Sequence, residues 1–382
     1  MGGVVGKVTD TLEFDYSDDK LHCRYFDISN ITIKGVGYLG GVAGYVKTLV
    51  EKHDERDLVN AITISNVTIE ETTDTKDNYY KELLENESVY ASTFGHIGGL
   101  YGYIDSGTFT INNYVIKDTT VIGKTNYIGG LAGLISVSAT PTLQLITMTN
   151  VKVLGNVATN ANYVGGLVGS MGNISKKDDG FGIYGIVINN IIVNGHDYVG
   201  GLVGEAYAGV IEDCRVYNAT IGYETLSDGI TNINTVPDPE EIKTRYHANA
   251  YVGGLVGEAK SISFESCFVG STTPRSSTTL NIQGAVYVGG MVGAGTSVAI
   301  YNSIVGINDF IVLGVTQTAT NKVDYKKELT QTYNPETGET KVNETIIKSN
   351  GGAIGYAYGG DGKDLLQNID VKINHIKNGG VF

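Results

Sequence analysis

One seven-residue string recurs along the whole chain, and it constrains the fold more than any other feature. It reads Tyr38-Leu39-Gly40-Gly41-Val42-Ala43-Gly44, then His96-Ile97-Gly98-Gly99-Leu100-Tyr101-Gly102, then Tyr127-Ile128-Gly129-Gly130-Leu131-Ala132-Gly133. The string Tyr163-Val164-Gly165-Gly166-Leu167-Val168-Gly169 follows, and the same seven letters return from Tyr198 (Gly200, Gly201, Gly204) and from Tyr251 (Gly253, Gly254, Gly257). A near copy starts at Tyr287 (Gly289, Gly290, Gly293), and a weaker one at Asn350. Fragments at both ends, Met1-Gly2-Gly3-Val4-Val5-Gly6 and Asn378-Gly379-Gly380-Val381-Phe382, bring the copies to ten. A fixed string recurring at intervals of tens of residues marks a repeat architecture, in which one unit cannot bury its own apolar face and must stack on the next.

Between the copies lies a second pattern: apolar, any, Asn, apolar or small, any, apolar. Asn30, Asn66, Asn150, Asn190, Asn302 and Asn368 occupy its third position, and Asn113 also fits. Asp213 and Ser266 replace Asn in two copies, each followed by a cysteine. The spacing from the second glycine of the pair to this position is 12 residues in three copies, and from it to the next pair 11 at the shortest. The minimal unit is then 23 residues. That suits three short strands and three turns and is too short for a helix pair. Apolar residues alternate with period two and are rich in Val, Ile, Thr and Tyr, which favour strands.

The expected fold is therefore all-β: a parallel β-helix, or β-solenoid, of about nine to ten coils with irregular insertions. Strands stacked about 4.8 Å apart would make a rod of roughly 45 Å. Glycine pairs should allow tight corners and positive φ. Asn tolerates left-handed backbone, and stacked amides can bond along the axis. Tyr38, Tyr127, Tyr163, Tyr198, Tyr251 and Tyr287 should form a ladder of rings. Insertions are expected at about 9–25, 70–95, 223–250 and 315–348, several at the same point of the repeat. Asp238-Pro239-Glu240-Glu241 reads as a helix start. Asn334 to Glu339 reads as a hairpin turn, and Tyr79 to Leu84 as a short helix.

Composition narrows the function classes. The 382 residues carry 52 glycines, no tryptophan and a formal net charge of -14, with no basic stripe. Nucleic acid and an anionic membrane surface are poor partners for such a chain. No apolar run is long enough to span a membrane. The three cysteines, Cys23, Cys214 and Cys267, fit neither a disulfide framework nor zinc spacing. Cys214 and Cys267 share a repeat position, which Ser303 takes in the next copy, and read as buried free thiols. Both ends are pieces of the motif, so the sequence reads as one segment of a longer chain with flanking domains.

The Gly166-Leu167-Val168-Gly169 core, preceded by Tyr163-Val164-Gly165 and followed by an Asn-Cys-type strand, resembles the GLUG repeat. That resemblance implies bacterial surface proteins, large adhesins, and the non-catalytic solenoid region of secreted zinc peptidases that cleave immunoglobulin A. It implies an extracellular or cell-surface location and a host protein or glycan as partner.

Three functions follow as alternatives: an adhesin or stalk displaying loops, a substrate-positioning domain of such a peptidase, and a polysaccharide-active β-helix enzyme. For the first two, ligand contacts are expected in loops around Tyr79, Tyr80, Tyr246, Tyr325 and Tyr333. For the third, Glu205 aligns with Glu258 and Glu212 with Glu265, so stacked coils would pair like carboxylates and push one pKa up. Neither a metal nor a cofactor is expected. His-Glu-x-x-His is absent, and the string His53-Asp54-Glu55-Arg56-Asp57 offers one histidine only. No phosphate-binding loop is complete, and Asp361 to Asp364 reads as a turn.

Overall fold

The computed structural model describes residues 1–2, 4–15, 27–52, 62–72, 95–155, 161–172, 182–222, 250–270, 280–284, 287–312, 327–333, 340–346, 350–351, 353–357, 365–367 and 370–378. Three parallel sheets make up nearly all of it, and the described residues contain no helix. The first sheet is built from the glycine motif itself, as short strands such as Leu39–Gly40, Ile97–Gly98 and Val164–Gly165. The second runs from Val5–Asp15 through Ala43–Lys52 and Tyr101–Asn112 to Ile354–Ala357. The third runs from Asp27–Gly35 through Ile62–Glu71 and Tyr114–Gly123 to Asp370–Asn378.

The chain visits the sheets in that order and adds a strand to each on every pass. The second sheet's main path is nine strands deep, and Gly2 bridges Gly40 ahead of the eight strands of the first. This stacking of parallel sheets is that of a β-helix, with nine turns among the described residues.

The motif's apolar letters explain the core. The residue after the aromatic points inward, so Leu39, Ile97, Ile128, Val164, Val199, Val252 and Val288 stack with no exposed surface. The residue after the glycine pair does the same at Leu131, Leu167, Leu202, Leu255 and Met291. Each such side chain contributes about 1.5–3 kcal/mol on burial, but only when turns stack above and below it.

The second glycine of each described internal pair stands at a bend, as expected, but none of the described motif glycines has the expected left-handed φ. Their role is close backbone approach: a Cβ on Gly40 would meet the Leu100 carbonyl oxygen at 2.5 Å, and one on Gly204 the Tyr198 carbonyl oxygen at 2.6 Å. The left-handed residue is the tyrosine, with φ of 64° at Tyr127, 61° at Tyr163, 57° at Tyr198 and 58° at Tyr251.

The Asn-type position is two positions. Asn30, Asn66, Asn150 and Asn190 lie within third-sheet strands, in one column with Asp118 and Asn218, all six left-handed. Asn113 and Asn302 lie instead at the turn from the second sheet to the third, in a column with Leu145, Gly185, Asp213 and Ser266. Asn368 falls outside the described residues. Both columns need positive φ, which Asn tolerates, so the letter alone does not separate them. Pooling them makes the unit too short: Gly98 pairs with Gly129, 31 residues on, rather than 23.

The expected insertion at 9–25 begins late, because the strand Val5–Asp15 continues to pair with Ala43–Lys52 through Asp15. Lys327–Tyr333 pairs antiparallel with Thr340–Ile346, and the hairpin turn expected between them, at 334–339, lies outside the described residues. The two short helices expected near Asp238 and Tyr79 lie outside the described residues.

Candidate functional site: a tyrosine ladder with an acidic flank

The aromatic letter of each motif stands at the corner between the third sheet and the first, and the rings form one column. Going along the axis the members are Tyr38, His96, Tyr127, Tyr163, Tyr198, Tyr251 and Tyr287, with successive centroids 4.6 to 5.2 Å apart. The three middle steps are face to face, at interplanar angles of 7°, 9° and 9°. The steps at either end are tilted by 33° to 63°. The four parallel rings belong to the four left-handed tyrosines. The same φ on every rung sends each side chain out in the same direction, so identical residues repeat one pose. A left-handed L-residue costs of order 1–2 kcal/mol, and aromatic stacking returns about 0.5–1.5 kcal/mol per pair.

His96 is the odd member. It is buried, packed against Tyr38, Tyr103 and Tyr127, and burial lowers its pKa to about 4. It therefore sits in the ladder as a neutral ring.

Beside the ladder, second-sheet residues pack their polar ends against the ring column. Near the start, Asp105 accepts hydrogen bonds from Tyr45 (3.1 Å) and Tyr103 (2.9 Å), whose rings lie 5.6 and 5.8 Å from Tyr38. Burial, with the Asp105 hydrogen bond, pushes the Tyr103 phenol up to about 12.

Further along, Glu205 and Glu258 occupy adjacent strands in register, each almost wholly buried. Lys260 lies between them, its Nζ 2.8 Å from Glu258 and 3.1 Å from Glu205 and over the Tyr207 ring. The Tyr207 hydroxyl donates to Glu205, and Ser170 donates to its other oxygen. Burial pushes the Glu205 pKa up, partly offset by Tyr207 and Lys260. Burial works against the Lys260 charge, but the two carboxylates outweigh it and hold its pKa above the usual value. The Glu205–Glu258 pair, which the enzymatic alternative would use as acid and base, is thus salt-bridged through Lys260, and Lys260 and Tyr207 escaped the sequence reading. Period-two alternation was the available signal: Glu205 and Tyr207, like Glu258 and Lys260, are two apart and share a face.

Glu212 and Glu265 also pair in register, flanked in the same row by Tyr184 and Tyr301. Slight burial and the charges of Glu265 and Asp213 raise the Glu212 pKa. This pair is more open to solvent than Glu205 and Glu258.

Cys214 and Cys267 are free thiols buried on the inner face of the second column of turns, with Ser303 next in line. They donate to the carbonyls of Glu212 and Glu265. Burial pushes the Cys214 thiol well above its ordinary value, and Cys267 adds to the shift. Cys23 lies outside the described residues.

Three long stretches outside the described residues, 73–94, 223–249 and 313–326, leave from the ends of third-sheet strands. The first two return next to the ladder, at Gly95 and Ala250. The base of the first is fixed by Glu71, a buried carboxylate accepting from the backbone N–H groups of Lys124 and Thr125 and from the Thr125 hydroxyl. Tyr79, Tyr80, Tyr246 and Tyr325 lie outside the described residues, and Tyr333 ends the first hairpin strand.

Among the described residues no group of three or more His, Cys, Asp or Glu could hold a metal ion. No described helix is long and apolar enough to cross a membrane. No family model matches the chain, and no curated protein or solved structure matches it either.

Proposed function

We propose that this chain is a non-catalytic β-solenoid module of a secreted or surface protein, acting as an adhesin or stalk that presents its inserts to a host protein or glycan. The observation that carries the reading is the common corner. Inserts at 73–94 and 223–249, four turns apart, leave and re-enter the rod on the ladder side. Insertions at one repeat position project from one face, which in repeat proteins is often the binding face. The resemblance to GLUG-repeat surface proteins supports the same reading. So does the salt-bridged state of Glu205 and Glu258, which commits those carboxylates to Lys260.

The test replaces residues 73–94 and 223–249 by short Gly-Ser links and compares binding of labelled protein to host cells, matrix proteins and a glycan array. Binding should vanish while the β-sheet circular dichroism stays. Equal binding by the shortened rod would overturn the proposal. Glycan degradation by the intact chain, abolished by Glu212→Gln, would replace it with the enzymatic reading.

A further inference from the structure

The middle of the ladder places four phenols in a geometry with a chemical consequence. Tyr127, Tyr163, Tyr198 and Tyr251 stack at 4.7, 4.6 and 4.6 Å, within 9° of parallel. Their backbones are hydrogen-bonded from turn to turn, as Ile128 N–H to the Tyr163 carbonyl and Tyr163 N–H to the Asp197 carbonyl. The spacing of the backbones that carry the rings is thereby held. Tyr127, Tyr163 and Tyr198 are half-buried, each keeping part of its surface open to solvent. We propose that these stacked tyrosines are a site of oxidative cross-linking, coupling ring to ring as dityrosine between successive turns of the rod.

The chemistry balances with hydrogen peroxide as oxidant and a haem peroxidase as catalyst. Each phenol loses one electron to the oxidant and its hydroxyl proton to solvent. The two radicals join through a carbon–carbon bond between positions ortho to oxygen. The two displaced ring hydrogens move to the oxygens as the rings regain aromaticity. The sum is two tyrosines and one peroxide giving one dityrosine and two waters.

Radical coupling is normally limited by two short-lived species meeting. Here the partner is fixed in contact, which replaces that encounter with a high effective concentration. Continuous ring contact also lets the electron deficit move along the column, so the oxidant need reach one exposed ring only. The product bond would add, to the hydrogen bonds and core packing between turns, a covalent link between residues 35 to 53 positions apart.

The selectivity is specific. The Tyr251–Tyr287 step is tilted by 48° and Tyr287 is fully buried, so coupling should stop at Tyr251. The test treats dilute protein with peroxide and a haem peroxidase, then maps cross-linked peptides by mass spectrometry. The expected result is monomer that has lost two hydrogens per link, with dityrosine fluorescence and joined peptides carrying Tyr127–Tyr163, Tyr163–Tyr198 or Tyr198–Tyr251. The double variant Tyr163→Phe/Tyr198→Phe keeps the stack but removes both central phenols, and should lose these links. Intramolecular links mapping to other tyrosines, or products joined only between molecules, would overturn the proposal. The wild-type peptide map decides this even if the variant folds poorly.

Discussion

Tyr163 and Tyr198, separated by one full turn of the chain, stack ring on ring at 4.6 Å although both carry the left-handed backbone that bulky residues avoid. Strain and stacking are opposed at one residue, so they can be separated by substitution. Tyr198→Ala removes two ring contacts and leaves the strain, and should cost about 2 kcal/mol. Tyr198→Gly removes the same contacts but also the strain. It should therefore be more stable than the alanine variant by about 1 kcal/mol, the reverse of the usual order in a strand. Urea midpoints of the three proteins check the order.

Close approach makes a second contrast. A Cβ on Gly166 would come nearer than 3.0 Å to the Gly201 carbonyl oxygen of the next turn, whereas one on Gly6 meets nothing within 4 Å. Gly166→Ala should abolish soluble folded protein or cost at least about 3 kcal/mol. Gly6→Ala should shift stability by less than about 0.5 kcal/mol. Soluble yield and thermal midpoint read both.

The Asn column has one acidic member. Asn66 donates to Asn30, Asn190 to Asn150, and Asn150 to Asp118, at 2.6 to 2.9 Å. A carboxylate cannot pass the chain on by donating to Asn66, whereas an amide can. Asp118→Asn should raise stability by about 0.5–1.5 kcal/mol, measured as a higher urea midpoint. A lower midpoint would count against a continuous ladder.

Acid should reveal His96. Its folded pKa, about 4, lies below the ordinary 6.5, because burial disfavours the charged ring. A depressed pKa contributes stability that is full above 6.5 and is lost as pH falls towards 4, on the order of 3 kcal/mol in all. Glu71 and Glu205, raised by burial, act with the opposite sign over acid pH. The readout is therefore a difference: His96→Tyr should flatten the loss of melting temperature between pH 7 and 4.5 relative to wild type.

Much of this architecture was legible in the sequence, and particular residues show where legibility ended. The strings around Tyr163 and Tyr198 are identical in every letter, which fixes both the stacking and the inward face. Asn113 and Asn150 look alike because left-handed backbone is all that the letter reports. They belong to different columns, and only strand pairing separates them. Asp118 was missed for the complementary reason: it holds an Asn position without the Asn. The Glu205–Lys260 bridge joins residues 55 positions apart, and nothing local marks the lysine as the partner of two carboxylates. The left-handed tyrosines were unforeseeable from propensity, since stacking between turns overrides it.

The buried thiols give a further check. Denatured protein should titrate three free thiols, and native Cys214 and Cys267 should resist alkylation at neutral pH, since burial holds the Cys214 proton on. A single thiol after denaturation would contradict the free pair.

The central claim is that each turn of the chain lies directly on the one before. Asp27, Thr63, Val115, Thr147, Val187 and Arg215 form one in-register row across six turns, and both end residues are exposed. Nitroxide labels at Asp27→Cys and Arg215→Cys, in a Cys23→Ser background where the buried thiols do not react, should give one narrow distance by double electron–electron resonance. Five steps of about 4.8 Å predict about 24 Å. A broad distribution, or a distance beyond about 35 Å, would contradict a stacked rod.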